Sequence, residues 1–369
     1  MSLSSSPPRS RITFAIALLV AIFGLGVVSP VRAEAGSAAL ADGANCKVTP
    51  EPPAGTPAPF EGVCDYLAAR EGVVQAAIYD KAGDQTYLLD TGDDVQYTAS
   101  IVKVDVLARW LNGYQRKGTK IPSEIPYSIR YLMGRMIQNS DNAATTGLFH
   151  FGGGCRTLTR FNLLIPMDDT KVGCESDNYY GWGNTQTTAA DQLRLMQVYA
   201  YGANQRPLLG ATRKSLKKCE KLGKPAKRKA CKRKTLRRAD RMARTPILNQ
   251  SARDYGLSLM QGVEPDQRFG ITCGPWGTTC DAPNWAVPDP EVTVSLKNGW
   301  KTLPTCTDPI PQCPWQVNSN GWVRGSGRDY AMSVLTTKDP VGTGDTYGFN
   351  YGIETIQGIS KLVYSNLAP

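Results

Sequence analysis

Residues 100–111 read SIVKVDVLARWL, which combines a regular apolar repeat with a serine and a lysine three residues apart. Its apolar residues recur at intervals of three and four, which predicts a helix with one buried face. Ser100 and Lys103 lie three residues apart at the start, so their side chains share one face. The Ser100 N–H at a helix start can stabilise an oxyanion, and a nearby lysine with a lowered pKa can take the serine proton. The pair predicts serine chemistry, although a second S-x-x-K occurs at Ser215–Lys218.

The segments around this helix alternate between strand and helix patterns. Early strands are predicted before the helix, a long helical region follows it, and late strands precede a closing helix. This order predicts an α/β fold with one sheet whose halves are separated by an inserted all-helical region. The predicted strands are 73–79, 85–89, 292–296, 321–323 and 330–336, and the flanking helices are 63–70, 189–201, 252–260 and 353–366.

Two further short motifs carry polar groups suited to catalysis. Ser140-Asp141-Asn142 lies between two helical stretches, where it offers a hydroxyl and an amide or simply caps a helix through Asp141. Lys297-Asn298-Gly299 ends the predicted strand 292–296, where a lysine can bind a carboxylate and the glycine permits close backbone approach. Each motif alone is weak, because S-D-N and K-x-G triplets also occur elsewhere in the chain.

The three motifs occur in the order S-x-x-K, S-D-N, K-x-G, on a helix start, an interhelical loop and a late strand. In this the chain from about residue 60 onward resembles class A β-lactamases and penicillin-binding proteins. The resemblance implies a three-layer domain of sheet and helices that needs no cofactor or metal. It also implies site roles, with Ser100 as nucleophile, Lys103 as base and Ser140 as proton relay. Substrate contacts would come from Asn142, Lys297, Asn298, Gly299 and Trp300, and the N–H groups of Ser100 and Trp300 would form the oxyanion hole.

The chain departs from the family pattern at two places. Asn298 stands where the family usually has Thr or Ser, although an amide can still donate a hydrogen bond. No match to the Ω-loop with its deacylating Glu is present; Glu175 is the candidate base in that stretch, or else a solvated loop acid. The expectation is an acyl-enzyme with β-lactams or D-alanyl peptides whose hydrolysis is slow. The alternative is a catalytically silent member of the fold that binds wall polymer or a membrane surface.

The charge of the chain is concentrated in one segment. There are 42 Lys and Arg against 32 Asp and Glu, and residues 211–245 hold 16 of the bases and two of the acids, a net +14. The remaining 26 bases and 30 acids leave a mildly acidic body, which disfavours a general nucleic-acid surface. The basic insertion 211–245 is either a solvated, disulfide-tied helical insertion or a contact for anionic wall polymer or lipid headgroups.

The N-terminus has the order of a secretory signal peptide. Arg9 and Arg11 precede an apolar run over 12–28, and a small-residue site with cleavage after Ala33 follows. An uncleaved membrane anchor is the alternative, since the run is nearly long enough to span a bilayer. The predicted organisation is a signal peptide at 1–33, a Pro/Ala/Gly-rich linker at 34–60 and the hydrolase domain at 61–369.

Cysteine and histidine usage limits the metal chemistry. The single His150 excludes a His-rich metal centre and reads as a packed or surface residue. The ten cysteines of a predicted exported chain favour disulfides, and zinc is disfavoured because no C-x-x-C knuckle occurs. Short loops close most easily, so pairing between sequence neighbours is expected. The expected pairs are Cys46/Cys64, Cys155/Cys174, Cys219/Cys231, Cys273/Cys280 and Cys306/Cys313.

Overall fold

The structure is a computed structural model, and the residues it describes form a sheet with helices on both faces. The described residues are 45–51, 58–92, 95–174, 180–206, 209–276, 291–303, 306, 313–341 and 348–368. The predicted signal peptide at 1–33, Glu175 and Cys280 lie outside them.

The main sheet has six strands in the order β1-β3-β2-β8-β7-β6, with every neighbouring pair antiparallel. Two short strands pair separately as β4-β5. The strands are β1 (Lys47–Thr49), β2 (Val73–Asp80), β3 (Gln85–Asp90), β4 (Gln96–Tyr97), β5 (Gln186–Thr187), β6 (Val292–Thr302), β7 (Trp315–Gly325) and β8 (Arg328–Thr337).

The helices form two groups on the two faces of the main sheet. The smaller group is α1, α10 and α11, and the other helices form the larger group. The described helices are α1 (Val63–Ala68), α2 (Val102–Arg116), α3 (Tyr127–Gln138), α4 (Asn142–Phe151), α5 (Gly154–Asn162), α6 (Ala189–Ala200), α7 (Leu209–Glu220), α8 (Pro225–Ala243), α9 (Gln250–Gln261), α10 (Cys273–Trp276) and α11 (Gly348–Asn366).

Alternation along the central strands creates the two apolar layers. On one face, Ile78 and Met332 pack with residues of α1 and α11. On the other face, Ala77 and Leu335 pack with the helical region, whose central element is α2. Because successive side chains of a strand point to opposite faces, the same strands supply both cores. The predicted α/β class, a main sheet built from both early and late strands, and the inserted helical region are confirmed.

The late strands extend beyond the predicted limits, because many of their additional residues are polar and buried and so do not show the apolar alternation of a strand. β6 runs from Val292 to Thr302, so Lys297 lies in the middle of a strand that was predicted to end there. The Lys297-Asn298-Gly299 segment pairs residue for residue with 318–320 on β7, which is also polar and fully buried. Apolar alternation does not identify such a strand. Likewise β1 lies within the predicted linker 34–60, where it pairs with β3.

Four of the expected disulfides are confirmed in the described part of the chain. They are Cys46–Cys64, Cys155–Cys174, Cys219–Cys231 and Cys306–Cys313. The fifth expected pair falls on Cys280, outside the described residues. Such disulfides are typical of proteins that fold outside the cytoplasm. None of the described helices combines the length and apolarity needed to cross a membrane.

Two helical glycines test how tightly the helical region is packed around α2. A Cβ on Gly256 of α9 would strike the buried ring of Tyr199, whereas one on Gly113 of α2 would meet nothing within 4 Å. We expect Gly256→Ala to lower the free energy of unfolding by about 1–3 kcal/mol through overpacking. Gly113→Ala is the matched control and should raise it by up to about 1 kcal/mol. Urea unfolding measures both; equal effects would contradict the packing described.

Candidate active site

A tight turn places Ser100 at the start of α2. Residues Ala99–Ile101 form a 3-10 turn that continues into the helix, and Ala99 adopts a left-handed φ of 44°. Side chains of β7 hold this turn, because Gln316 and Asn318 each donate a side-chain amide hydrogen bond to Tyr97 O, at 2.6 and 2.7 Å. A strained, non-glycine backbone held by several buried contacts is a common property of functional sites.

Lys103 lies one helical turn after Ser100 and is fully buried. Its Nζ lies 2.8 Å from Ser100 Oγ, 3.0 Å from Ser140 Oγ, 2.7 Å from Ser140 O and 2.8 Å from Asn142 Oδ1. The last two atoms can only accept, so they take both N–H donors of a neutral amine. The nitrogen lone pair is then left to accept a proton from a serine hydroxyl. The geometry is that of a general base between two hydroxyls.

Burial and a neighbouring cation keep this amine neutral. Desolvation, and to a smaller extent the charge of Lys297, lower the pKa of Lys103 from 10.5 to about 6, against an opposing effect of Asp141. At neutral pH most of the population can therefore accept a proton. Asp141 does not compete for this role, because it caps α4 through Ala144 N at 2.8 Å and pairs with Arg135 at 2.8 Å. Those hydrogen bonds hold the pKa of Asp141 below its usual value.

The segment Ser140–Asn142 reaches the lysine through a turn at the start of α4. Ser140 has a left-handed φ of 55°, which directs its carbonyl and hydroxyl to Lys103. Asp141 is the helix cap, as one reading of the sequence predicted. Asn142 is exposed, and while its Oδ1 contacts Lys103 its amide N–H₂ can donate to a bound molecule. The same turn therefore caps α4 and supplies hydrogen-bond acceptors to Lys103.

Strand β6 forms the wall of the site opposite Ser140–Asn142, and its successive side chains point to opposite faces of the sheet. Lys297 is fully buried, donates to Asn298 O at 2.8 Å, and desolvation lowers its pKa to about 7. Its charge acts on Lys103, so the two amines belong to one site. Gly299 lies against the serine turn, since a Cβ there would be 2.6 Å from Ser100 N and 2.8 Å from Ile101 N. Only glycine allows this approach.

Asn298 and the Trp300 side chain point to the other face of the sheet. The amide of Asn298 donates to Gln267 O at 2.8 Å and Phe269 O at 3.0 Å, so it is not brought together with the other predicted site residues. The Trp300 indole packs on Phe269, with ring centroids 5.4 Å apart. The amide therefore anchors the strand to the α10 side of the sheet.

The register of β6 nonetheless leaves the Trp300 N–H available. Leu303 N donates to Pro314 O across the β6-β7 pair, and antiparallel ladders alternate hydrogen-bonded and non-bonded residues. Trp300, three residues earlier, then directs its N–H away from β7 at the open edge of the sheet. The N–H of Ser100 has no hydrogen bond to a described residue. Two N–H groups thus flank the serine, as an oxyanion hole requires.

The sequence did not identify two features of the site. The Trp182 ring lies 5.0 Å from Lys103 Nζ, fixed by its indole N–H on Thr146 Oγ1 at 3.1 Å, and it shields the lysine from water. The polar face of β7, with Gln316, Asn318 and the buried Asn320, holds the serine turn and joins the network around Gln192. A polar residue at every second position of a strand is the signal that could have revealed this face.

Comparison with known proteins supports this fold and family. The family described as Beta-lactamase enzyme family matches residues 113–367. The matched range includes Ser140–Asn142 and Lys297–Gly299 but begins after Ser100 and Lys103, so the first two site residues rest on the geometry described above. No match to a curated protein was found.

Several solved structures share the fold at low sequence identity. A class A β-lactamase from Bacteroides cellulosilyticus aligns with a TM-score of 0.55 at 15% identity, covering 85% of this chain and 98% of its own. A class A β-lactamase from Mycobacterium abscessus gives 0.53 at 14%, covering 83% and 98%. PBP-A gives 0.53 at 16%, covering 86% and 98%. With a family match over most of its length, the chain belongs to the beta-lactamase enzyme family and has the fold of class A β-lactamases.

Proposed function

We propose that this protein is an exported serine hydrolase that forms an acyl-enzyme at Ser100 with β-lactams or related D-alanyl peptides. The observation that carries the proposal is the buried, neutral Lys103 amine in contact with both the Ser100 and Ser140 hydroxyls. The four disulfides and the predicted signal peptide support export.

Acylation follows from the contacts around Lys103. The amine takes the proton of Ser100 as Oγ attacks the substrate carbonyl, and the N–H groups of Ser100 and Trp300 stabilise the oxyanion. The proton then passes from Nζ to Ser140 Oγ, 3.0 Å away, while the Ser140 proton goes to the leaving nitrogen. The two transfers between Lys103 and the serine hydroxyls span hydrogen-bond distances of 2.8 and 3.0 Å. The C–N bond breaks as the leaving nitrogen is protonated, which leaves the acyl group on Ser100 and Lys103 neutral again.

Lys297 couples substrate charge to the state of the base. A pKa of about 7 leaves this buried amine partly neutral in the free protein. A bound substrate carboxylate would favour its charged form, because an opposite charge raises the pKa of a lysine. A charged Lys297 in turn lowers the pKa of Lys103. Substrates that carry a carboxylate would therefore increase the fraction of Lys103 that is neutral and able to accept the Ser100 proton.

Slow hydrolysis of the acyl-enzyme is the second part of the proposal. Among the described residues, Asp141 is the acid that acts on Lys103, and both of its oxygens are already engaged by Ala144 and Arg135. Trp182 occupies the space over the lysine. Glu175 is the remaining candidate for a base that activates water. PBP-A, which shares the fold, has been solved in a mutant form as an acyl-enzyme complex with penicillin G.

The competing proposal is a catalytically silent protein that uses the fold to bind wall polymer or a membrane surface. It predicts no covalent chemistry at Ser100. The hydrogen bonds around Lys103 favour the enzyme over the silent alternative. Burying a lysine carries a desolvation cost, which a protein without catalytic activity would have no reason to retain.

Intact-mass measurement after incubation with penicillin G tests the enzyme directly. We expect a persistent adduct of one penicillin on the wild-type protein and none on Ser100→Ala. Ser215→Ala is the matched control, since Ser215 belongs to the exposed second S-x-x-K copy and its loss should leave the adduct unchanged. Rapid drug loss without an adduct would contradict slow deacylation. Absence of both adduct and turnover would favour the silent alternative.

The pH dependence of acylation tests the coupling of the two lysines. The base must be neutral, so the second-order acylation rate of the wild type should rise with pH through about 6. Lys297→Gln removes a charge that lowers the pKa of Lys103, and the acidic limb should move to higher pH. Lys301→Gln removes a charge from the same strand and should leave the limb in place. A slower Lys297→Gln with an unmoved limb would assign Lys297 a purely structural role.

Gly299→Ala tests the close approach of β6 to the serine turn. Its Cβ would meet the backbone nitrogens of Ser100 and Ile101, which cannot move without displacing the oxyanion hole. We expect acylation to slow by at least about 100-fold, the cost of losing one oxyanion donor. Gly183→Ala, near the site but with free space around its Cβ, should acylate normally. Near-wild-type acylation by Gly299→Ala would contradict the oxyanion geometry proposed here.

A further inference from the structure

The basic insertion forms a helical hairpin that packs little apolar surface. α7 and α8 are joined by the Cys219–Cys231 disulfide, and no residue of α8 is buried. Solvent-exposed side chains account for nearly all of its charge. Met242 of α8 packs against the core, but the cations of the helix do not, so their role depends on what they face.

One face of α8 and the body of the protein enclose a cleft of about 1290 Å³. The cations of α8 that line it recur at helical spacing, so they form one stripe along the helix. The opposite wall is formed mainly by α2, the residue after it and α5, which contribute cations of their own. The nine lining cations are Arg109, Arg116, Lys117, Arg160, Arg233, Lys234, Arg237, Arg238 and Arg241, and the lining contains no acid.

These cations are not neutralised by the described part of the protein. The ion pairs of the hairpin, Lys232 with Glu220 and Arg244 with Asp240, involve none of the nine. None of the nine forms an ion pair with any described acid. Arg109 is half-buried on the Trp110 ring, and desolvation lowers the pKa of its guanidinium. Like charges that face each other across a cleft repel, and an anion bound between them would relieve that repulsion.

The length of the cleft and the side chains that line it indicate which kind of anion could bind there. The stripe from Arg233 to Arg241 extends about 12 Å along α8, which is longer than one phosphate group. Seven of the nine cations are arginines, whose planar guanidinium binds phosphate oxygens in pairs. The one aromatic residue in the lining, Phe161, is buried in the core, so the cleft offers no exposed aromatic ring on which bases can stack. A flat lipid surface could not reach both walls.

We propose that the cleft between α8 and helices α2 and α5 binds a linear, base-free phosphate polymer. The chain would lie along the stripe of α8, and its phosphates would contact guanidinium groups from both walls. Binding needs no acylation at Ser100, so it is independent of the function proposed above.

Titration with inorganic polyphosphate at several salt concentrations tests the site on the full chain. We expect Arg233→Gln/Arg237→Gln/Arg241→Gln to bind at least about tenfold more weakly, with a salt slope reduced by about 2 to 3. The matched control Lys227→Gln/Arg228→Gln/Lys229→Gln removes the same charge from α8 outside the cleft and should lose less than about threefold. Arg116→Gln/Arg160→Gln, on the body wall, should also lose affinity, and Ser100→Ala should bind normally.

Three outcomes would overturn the proposal. Equal losses in the cleft variant and its control would mean diffuse attraction to the hairpin. Full affinity in Arg116→Gln/Arg160→Gln would remove the body wall from the site. Tighter binding to single-stranded DNA or to anionic vesicles than to polyphosphate would assign the basic surface to another partner. A far-UV circular dichroism spectrum and a thermal unfolding midpoint equal to those of the wild type verify that each variant is folded.

Discussion

The burial of Lys103 is the constraint on which the rest of the site depends. A charged ammonium would be costly in this position, and the structure avoids that cost by lowering the pKa to about 6. The neutral amine still needs partners for its hydrogens, and these come from one turn, Ser140–Asn142. The left-handed backbone of Ser140 and the cap at Asp141 follow from that requirement. The positions of both serines are thus set by the needs of one nitrogen.

The sheet supplies the second half of the site through its polar strands. The central strands carry apolar side chains on both faces, whereas the facing segments of β6 and β7 bury Lys297, Asn318 and Asn320. Lys297 and Asn318 donate to backbone carbonyls, and Asn320 bonds the side chains of Gln192 and Ser333, so their N–H donors are not buried without partners. The polar side chains of β7 hold the serine turn, and Gly299 of β6 packs against it. The edge position of β6 leaves N–H groups unpaired beside Ser100.

Much of this arrangement could be predicted from the sequence because local signals were strong. The apolar spacing after Ser100 predicted α2, and the order of the motifs predicted one site with Ser100, Lys103, Ser140 and Lys297, which the structure brings together. The length of β6 could not be predicted, since its centre is polar and strand patterns rest on apolar alternation. The direction of the Asn298 side chain could not be predicted for a related reason, because the face to which a strand residue points depends on the register of the strand. Trp182 is brought over Lys103 by tertiary packing alone.

Helix α2 fixes the distance between the reactive serine and the cleft. The same helix begins beside the nucleophile and carries Arg109 and Arg116 on the cleft wall. Thirteen residues separate Lys103 from Arg116, a rise of about 20 Å along a rigid rod. A molecule held at the cleft would therefore be kept at a constant distance from the reactive serine. Substrates attached to the same polymer, at about that spacing, would meet the serine at high effective concentration, whereas free substrates would gain nothing.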